Sequence, residues 1–527
     1  MHPHRDHGGS LFRPLRCSRR IVVGLVAAAL LAGACSGRAT SDSPSDQAAT
    51  TVPHGAGIES IDVAGPITTG RGKAVLIPDT LDLAAVGYQQ AEYFVSGTAN
   101  SFTADGPLAA DGQWSVQPAS QAPYTTRVIV RRPIDPAAFD GTVAVEWLNV
   151  SGGLDEGPDW TSAHVELIRS GTAWVGVSAQ KVGIDGSGNA LGAKLALKNA
   201  DPERYAPLAH PGDNFSYDIY SQVGNAVRNQ SSQLLGNLTP QRVLAIGESQ
   251  SAFRLTTYVN AMASMNNVYD GYLIHSRAGG SAPLSVPPEA DVATPSPTYI
   301  RSDLTVPVLQ FETQSDVVSG QLGFVQARQD DTDRLRTWEV AGTAHEDLYG
   351  LGIGDGDTGS GETDTQYFAT MQHPPSSIYG GVISCAAPIN TGPQTYVLRS
   401  AFAALDRWVR TGEAPPSTTR LALDSAGTGY VVDDHGDAVG GIRTPHVDAP
   451  IATLSDGGQG NGTKNFCFLF GTTVPFSAAQ LDAAYGGEAT FLARWDAAVD
   501  SAVTAGAVMS ADAGHLKQAA QASGIYG

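Results

Sequence analysis

Cysteine is scarce: 527 residues hold four, at 17, 35, 385 and 467, and none lies in C-x-x-C spacing. That argues against a zinc-ribbon or dithiol redox protein, both of which need closely spaced thiolates. Basic residues are also few. The formal charge is −20, and because residues 1–34 hold five Arg and one Asp, the remainder carries 27 basic against 51 acidic residues. Nucleic acid is therefore not an expected partner, since phosphate recognition needs a basic face. The apolar run at 21–34 has 14 residues, short of the ~20 that a membrane-spanning helix needs. No internal repeat is visible. The Gly/Asp-rich stretch 354–362 lacks the spacing of an EF-hand, so it reads as a solvated loop and no metal site is expected.

What is present fits a large folded enzyme: 42% of residues are hydrophobic and 16% charged, enough apolar surface for an ample core. Residues 1–34 read as an export signal, with Arg16, Arg19 and Arg20 ahead of the apolar stretch and Ala32-Gly33-Ala34-Cys35 as a small-residue processing site. This segment resembles a bacterial lipoprotein signal with Cys35 lipidated, and Ser18-Arg19-Arg20-Ile21-Val22 is similar to a twin-arginine motif. An ordinary signal peptide cut near Ala34 is the alternative. Residues 35–57, rich in Ser, Thr, Asp and Ala, read as a flexible tether, and 58–527 as one domain.

Within that domain, Val243-Leu244-Ala245-Ile246 reads as a strand running into Gly247-Glu248-Ser249-Gln250-Ser251 and then a helical stretch. This is the pattern of a nucleophile elbow, where a sharp strand-to-helix turn presents one hydroxyl and the flanking residues must be small. Two further strand ends follow. The strand around 306–311 leads to Asp316, and the strand 336–340 leads through Gly342-Thr343-Ala344 to His345. Ser249, Asp316 and His345 thus occur in the order that a hydrolytic triad on a doubly wound sheet requires. A serine hydroxyl attacks only when a histidine takes its proton, and the histidine needs a carboxylate to fix its tautomer. Glu312, Glu339, Glu346 and Asp347 are rival acids, and His446 and His275 rival bases. The oxyanion hole is expected from the backbone N–H of Gln250 and a second N–H in the loop after the strand 142–148, either Val150 or Ser151. Asn149, His275 and Arg277 are candidates to line the substrate pocket.

The chain also resembles the α/β-hydrolase domain proteins. The resemblance rests on the stretches 125–133, 145–151, 174–180, 201–205, 210–213, 247–251, 342–345 and 405–409, and so covers nearly all of the chain beyond the export signal. It implies an α/β-hydrolase fold: a mostly parallel doubly wound sheet with N-terminal antiparallel strands. Cap-like insertions are expected at 185–213 and 276–302, and a C-terminal helical extension from 413. It also implies that Ser249 and His345 are catalytic, and that Ser251 in place of a second glycine is a family trait. The expected activity is cleavage of a small-molecule carboxylic ester without a cofactor. An amidase, lactonase or thioesterase would use the same residues, and the competing class is a binding lipoprotein that kept the fold. A membrane is expected as a partner only through lipid on Cys35. Cys385 and Cys467, left over in an oxidising compartment, are expected to pair.

Overall fold

The central strands are apolar on both faces, and the computed structural model shows why. It describes residues 54–526 other than 56, 78–79, 187–191, 319, 321 and 461–465, so Cys35, the segment read as an export signal and most of the segment read as a tether lie outside the described residues. One nine-stranded sheet is built from β1 (Asp62–Ala64), β2 (Tyr88–Ala104), β3 (Val116–Pro133), β4 (Thr142–Trp147), β5 (Ala173–Val177), β6 (Arg242–Glu248), β7 (Gly271–His275), β8 (Val308–Thr313) and β9 (Leu335–Val340). Their order is β1-β2-β3-β5-β4-β6-β7-β8-β9. The first three strands are antiparallel, as is the β3–β5 pair, and every pair from β5 to β9 is parallel.

Successive residues of a strand point to opposite faces, so a sheet covered on both sides needs apolar residues at every position. Val143, Val145, Val243 and Ala245 pack against the helices Ser216–Asn229 and Gln250–Ala261. Their neighbours Ala144, Leu244 and Ile246 pack against Pro158–Ser170 and Gln394–Thr411 on the other side. The helix Pro158–Ser170 is capped from the preceding strand: the Glu146 carboxyl accepts from the N–H groups of Asp159 and Trp160, both at 3.0 Å, and from Trp174 Nε1 at 2.7 Å.

β5 lies on one side of β4 and β6 on the other, so the winding reverses at β4. Such a reversal opens a crevice outside the carboxyl ends of the two flanking strands, the place where open α/β sheets bind ligands. The loop after β4 and the turn after β6 meet there.

The residues beyond 413 belong to the main core. Phe491, Trp495, Val499 and Leu516, from the helices Glu488–Thr504 and Ser510–Ala522, share a cluster with Leu273, Leu309 and Phe311 of the sheet. Ile442 bridges to Val340 in parallel, covering the β9 edge that would otherwise expose unpaired backbone groups. Cys385 and Cys467 form a disulfide with Cα atoms 5.6 Å apart, tying the segment after His345 to this C-terminal region.

The insertion after Asp185 buries Leu197, Tyr205 and Leu208 against Phe94 and Ile184. Arg204 of this insertion reaches Glu92 Oε2 at 2.5 Å and donates to the carbonyls of Ile67 and Thr69. The stretch 276–302 lies against the helix Gln250–Ala261, with Ala282 N–H donating to the Phe253 carbonyl at 3.1 Å. One expectation needs correction. The stretch 354–362 is solvated only in part: Gly356, Thr358, Ser360 and Glu362 are exposed, but Asp357 is buried and accepts from Arg399 Nη2 at 2.9 Å and Tyr349 OH at 2.7 Å. The cause is Arg399, a fully buried cation that requires a counter-charge. Among the described residues no group of His, Cys, Asp and Glu is arranged to hold a metal ion.

Candidate active site

β6 ends at Glu248, the next helix begins at Gln250, and Ser249 alone makes the turn, at φ 56° and ψ −117°. A non-glycine residue there costs on the order of 1–3 kcal/mol and persists only where the surroundings hold it. Here the Ser249 N–H donates to the His275 carbonyl at 2.9 Å, and its own carbonyl accepts from Phe253 N–H at 3.0 Å. The small flanking residues follow from space. A Cβ at Gly247 would lie 3.1 Å from the Ser251 Cβ and 3.0 Å from Leu255 Cδ1. Ser251 is fully buried, so a residue no larger than serine fits opposite.

The histidine turn is built the same way. At Gly342, φ is 75° and a Cβ would meet Val447 Cγ1 at 2.6 Å, so only glycine turns the chain there. The His345 N–H then donates to Ser315 Oγ at 2.6 Å. Asp316 sits in a short helix, Gln314–Val318, directly after β8.

These three turns bring the side chains together. His345 Nδ1 is 2.6 Å from Asp316 Oδ1, and His345 Nε2 is 2.7 Å from Ser249 Oγ. A carboxylate only accepts, so Nδ1 carries the proton and Nε2 is left to accept from the serine hydroxyl. The other Asp316 oxygen accepts from Thr313 N–H at 2.7 Å and Thr313 Oγ1 at 2.6 Å. Burial by itself would raise the Asp316 carboxyl, but His345 and the donated hydrogen bonds outweigh it and hold the group below its usual range.

The rival acids and bases lie elsewhere. Glu339 is engaged by Arg328 at 2.6 Å, and Asp347 accepts from Tyr349 and Gly350 N–H. Glu312 is fully buried, with Arg277 and Asp316 among the charges that face it. His446 is buried between Tyr396 and Trp495, with ring centroids at 5.7 and 5.3 Å, and burial pushes it down to about 3.

In the loop after β4, Asn149 decides the backbone geometry. Its Oδ1 accepts from the Ser151 N–H at 2.7 Å, which takes that group out of use. The Val150 N–H has no acceptor among the described residues, and the Gln250 N–H, first in its helix, has none within the helix. The loop is fixed from behind by Asp155, which accepts from Arg127 Nη2 and Ser178 Oγ, both at 2.5 Å.

Of the three residues expected to line a pocket, none is open to a ligand. Asn149 is 4% exposed and donates through Nδ2 to Glu248 Oε2 at 3.0 Å. His275 is 1% exposed, its Nδ1 held by Asp159 at 2.9 Å and its Nε2 accepting from Gln394 at 2.9 Å. Arg277 is fully buried, donating to Gln310 Oε1 and the Thr298 carbonyl, and burial lowers it to about 10. His275 is enclosed by the helices that carry Asp159 and Gln394, and Arg277 by the stretch 276–302, whose Thr298 carbonyl it reaches. A wall of polar side chains stands beside Ser249 instead: Gln250 Nε2 donates to Gln180 Oε1 at 2.8 Å, Gln180 Nε2 to Asp213 Oδ2 at 2.8 Å, and Arg254 Nη2 lies 3.2 Å from the same oxygen.

Residues 63–518 match the family model described as alpha/beta hydrolase domain. The chain belongs to that family. No curated protein sequence matches this hydrolase-family chain. Among solved structures it is similar to an a/b serine hydrolase without lid from Xanthomonas campestris, at 14% identity over 47% of this chain and 85% of that one, with a TM-score of 0.27. It is also similar to a fungal esterase from Rhizomucor miehei, at 13% identity over 49% and 81% of the two chains and a TM-score of 0.24.

Glu248 escaped notice in the sequence. It occupies a spacer position of the elbow motif, yet its Oε1 lies 3.2 Å from His345 Nε2. The signal was available: an acid on the last residue of a buried strand, directly before the serine.

Proposed function

We propose that this alpha/beta hydrolase is a serine hydrolase that cleaves a carboxylic ester. The observation that carries the reading is the unbroken chain of contacts Ser249–His345–Asp316, with 2.7 and 2.6 Å links at the reversal point of the sheet. Ser249 Oγ attacks the acyl carbon while His345 Nε2 takes its proton. The N–H groups of Val150 and Gln250 meet the charge that develops on the carbonyl oxygen. His345 then gives the proton to the leaving alcohol, and water repeats the sequence on the acyl-enzyme. Asp316 stays ionised throughout and holds the imidazole in the tautomer that leaves Nε2 free.

Export and lipid attachment at Cys35 belong to the same proposal, supported by the pattern of residues 16–35 and by the Cys385–Cys467 disulfide, which suits an oxidising compartment. The deciding experiment is labelling by a fluorophosphonate, which reacts only with an activated serine, followed by an ester panel of graded acyl length. The wild type is expected to label and Ser249→Ala to remain unlabelled, with kcat on esters lower by roughly 10³–10⁶. Equal labelling of the two proteins would reject the assignment.

A further inference from the structure

His345 Nε2 faces two groups. The first is the Ser249 hydroxyl at 2.7 Å, and the second is Glu248 Oε1 at 3.2 Å. Glu248 is 4% exposed, and its other oxygen accepts from Asn149 Nδ2 at 3.0 Å, so the carboxyl is held in place. Among the described residues no Lys or Arg pairs with it. The titratable groups around it are Glu346, next to His345, Asp159 at the start of the helix Pro158–Ser170, Asp316, and His345 itself. His275, its ladder neighbour on β7, is already engaged by Asp159 and Gln394. Burial first, and then the charges of Glu346, Asp159 and Asp316, raise the Glu248 carboxyl well above the usual carboxylate range.

We infer that Glu248 is a positioning residue that shares one proton with His345 and thereby sets the pH below which the serine is silent. This rests on the reading of Ser249 and His345 as nucleophile and base. With Oε2 committed to accepting from Asn149, a proton on Glu248 sits on Oε1. There it is donated to Nε2, where it displaces the serine's own hydrogen bond. If the proton moves onto Nε2, the imidazolium cannot accept one from Ser249. Both forms of the singly protonated pair are inactive, and only the pair stripped of that proton can act. Two coupled groups release their last proton at a higher pH than either would alone. The acid limb of the activity therefore belongs to the pair.

The second consequence is mechanical. Glu248 joins the loop that carries Val150 to the elbow, because Asn149 donates both to its carboxyl and to its carbonyl, at 3.0 and 3.1 Å. Glutamine at 248 can keep an acceptor toward Asn149. Its NH2 then faces Nε2 as a weaker donor that lowers the amplitude of activity at every pH but cannot pass a proton to His345, so the shared titration is removed. A purely structural role would lower the amplitude of activity in such a variant and leave its pH midpoint in place.

The test is the rate of fluorophosphonate labelling as a function of pH in the wild type and in Glu248→Gln, a readout that needs no knowledge of the substrate. The acid midpoint of the variant is expected about 1–2 pH units lower, the size of effect a charge at this distance has on a titrating neighbour. An unchanged or higher midpoint overturns the inference. If Glu248→Gln does not fold, Glu248→Asp is read the same way: its carboxyl is drawn back by one carbon–carbon bond, so a lower midpoint supports the sharing and an unchanged one rejects it. Failure of the wild type to label at any pH would instead reject the serine hydrolase reading.

Discussion

Two carboxyl groups flank the His345 ring, one at the end of β8 and one at the end of β6, and they are driven in opposite directions. Asp316 is fully buried and Glu248 4% exposed, so burial does not distinguish them. The supply of donors does. Asp316 receives hydrogen bonds from Thr313 N–H, Thr313 Oγ1 and His345 Nδ1, and sits below the usual carboxylate range. Glu248 receives Asn149 Nδ2 and faces three acids, and sits well above that range. In a dry site the charge a carboxyl carries is decided by what points at it.

The sharpest test of that difference is to neutralise each acid in turn. Asp316→Asn keeps the shape but places an amide against Nδ1, favouring the tautomer with the proton on Nε2, and kcat is expected to fall by about 10⁴. Glu248→Gln at a pH above both acid limbs is expected to cost less than about 10². Steady-state kinetics on one ester compares them. A larger loss in Glu248→Gln would reverse the roles assigned to the two sides of the ring.

Much of this arrangement was legible in the sequence because each of Ser249, Asp316 and His345 follows a buried strand, and strand ends are marked by apolar runs. The fold was legible for the same reason: strands apolar on both faces require helices on both sides. What stayed hidden depends on side-chain conformation. The choice between Val150 and Ser151 turns on where Asn149 places its oxygen, and the neighbourhood of Glu248 turns on a rotamer at a motif position treated as a spacer. The placement of His275 depends on Asp159 and Gln394, and that of Arg277 on the Thr298 carbonyl, partners that sequence spacing does not announce. Asp357 was misread because its partner, Arg399, lies far away in the chain.

His446 isolates what burial does with no charged neighbour. Burial alone pushes it down to about 3, whereas an unfolded histidine titrates near 6.5. The unfolded chain therefore takes up a proton that the folded protein does not, and stability falls as pH drops from about 6.5 toward 3, by on the order of 5 kcal/mol in total. Glu156 and Asp347, raised to about 7 by burial, act in the opposite sense: they favour the folded state at low pH and lose that contribution as pH rises toward 7. His446→Phe removes the first effect and keeps the others. Urea midpoints of the two proteins at several pH values are expected to converge toward, or cross in favour of, the variant as pH falls below 6; parallel curves would show that His446 is not titrating across the transition.

The smallest effect is expected at Ser251, a polar group that receives nothing at all. Its side chain is fully buried and its Oγ has no hydrogen-bond partner among the described residues. A buried hydroxyl without a partner is a desolvation cost, so Ser251→Ala, which keeps the Cβ that packs opposite Gly247, is expected to leave stability unchanged or raise it by up to about 1 kcal/mol. Labelling of Ser249 should proceed at the wild-type rate, because the elbow needs a small residue at this position and makes no use of the hydroxyl. Thermal unfolding and the fluorophosphonate rate measure both. A loss of more than about 1 kcal/mol, or a tenfold slower reaction, would mean that the hydroxyl holds a bound water or orients the turn. The small-residue requirement would then be a hydrogen-bonding requirement as well.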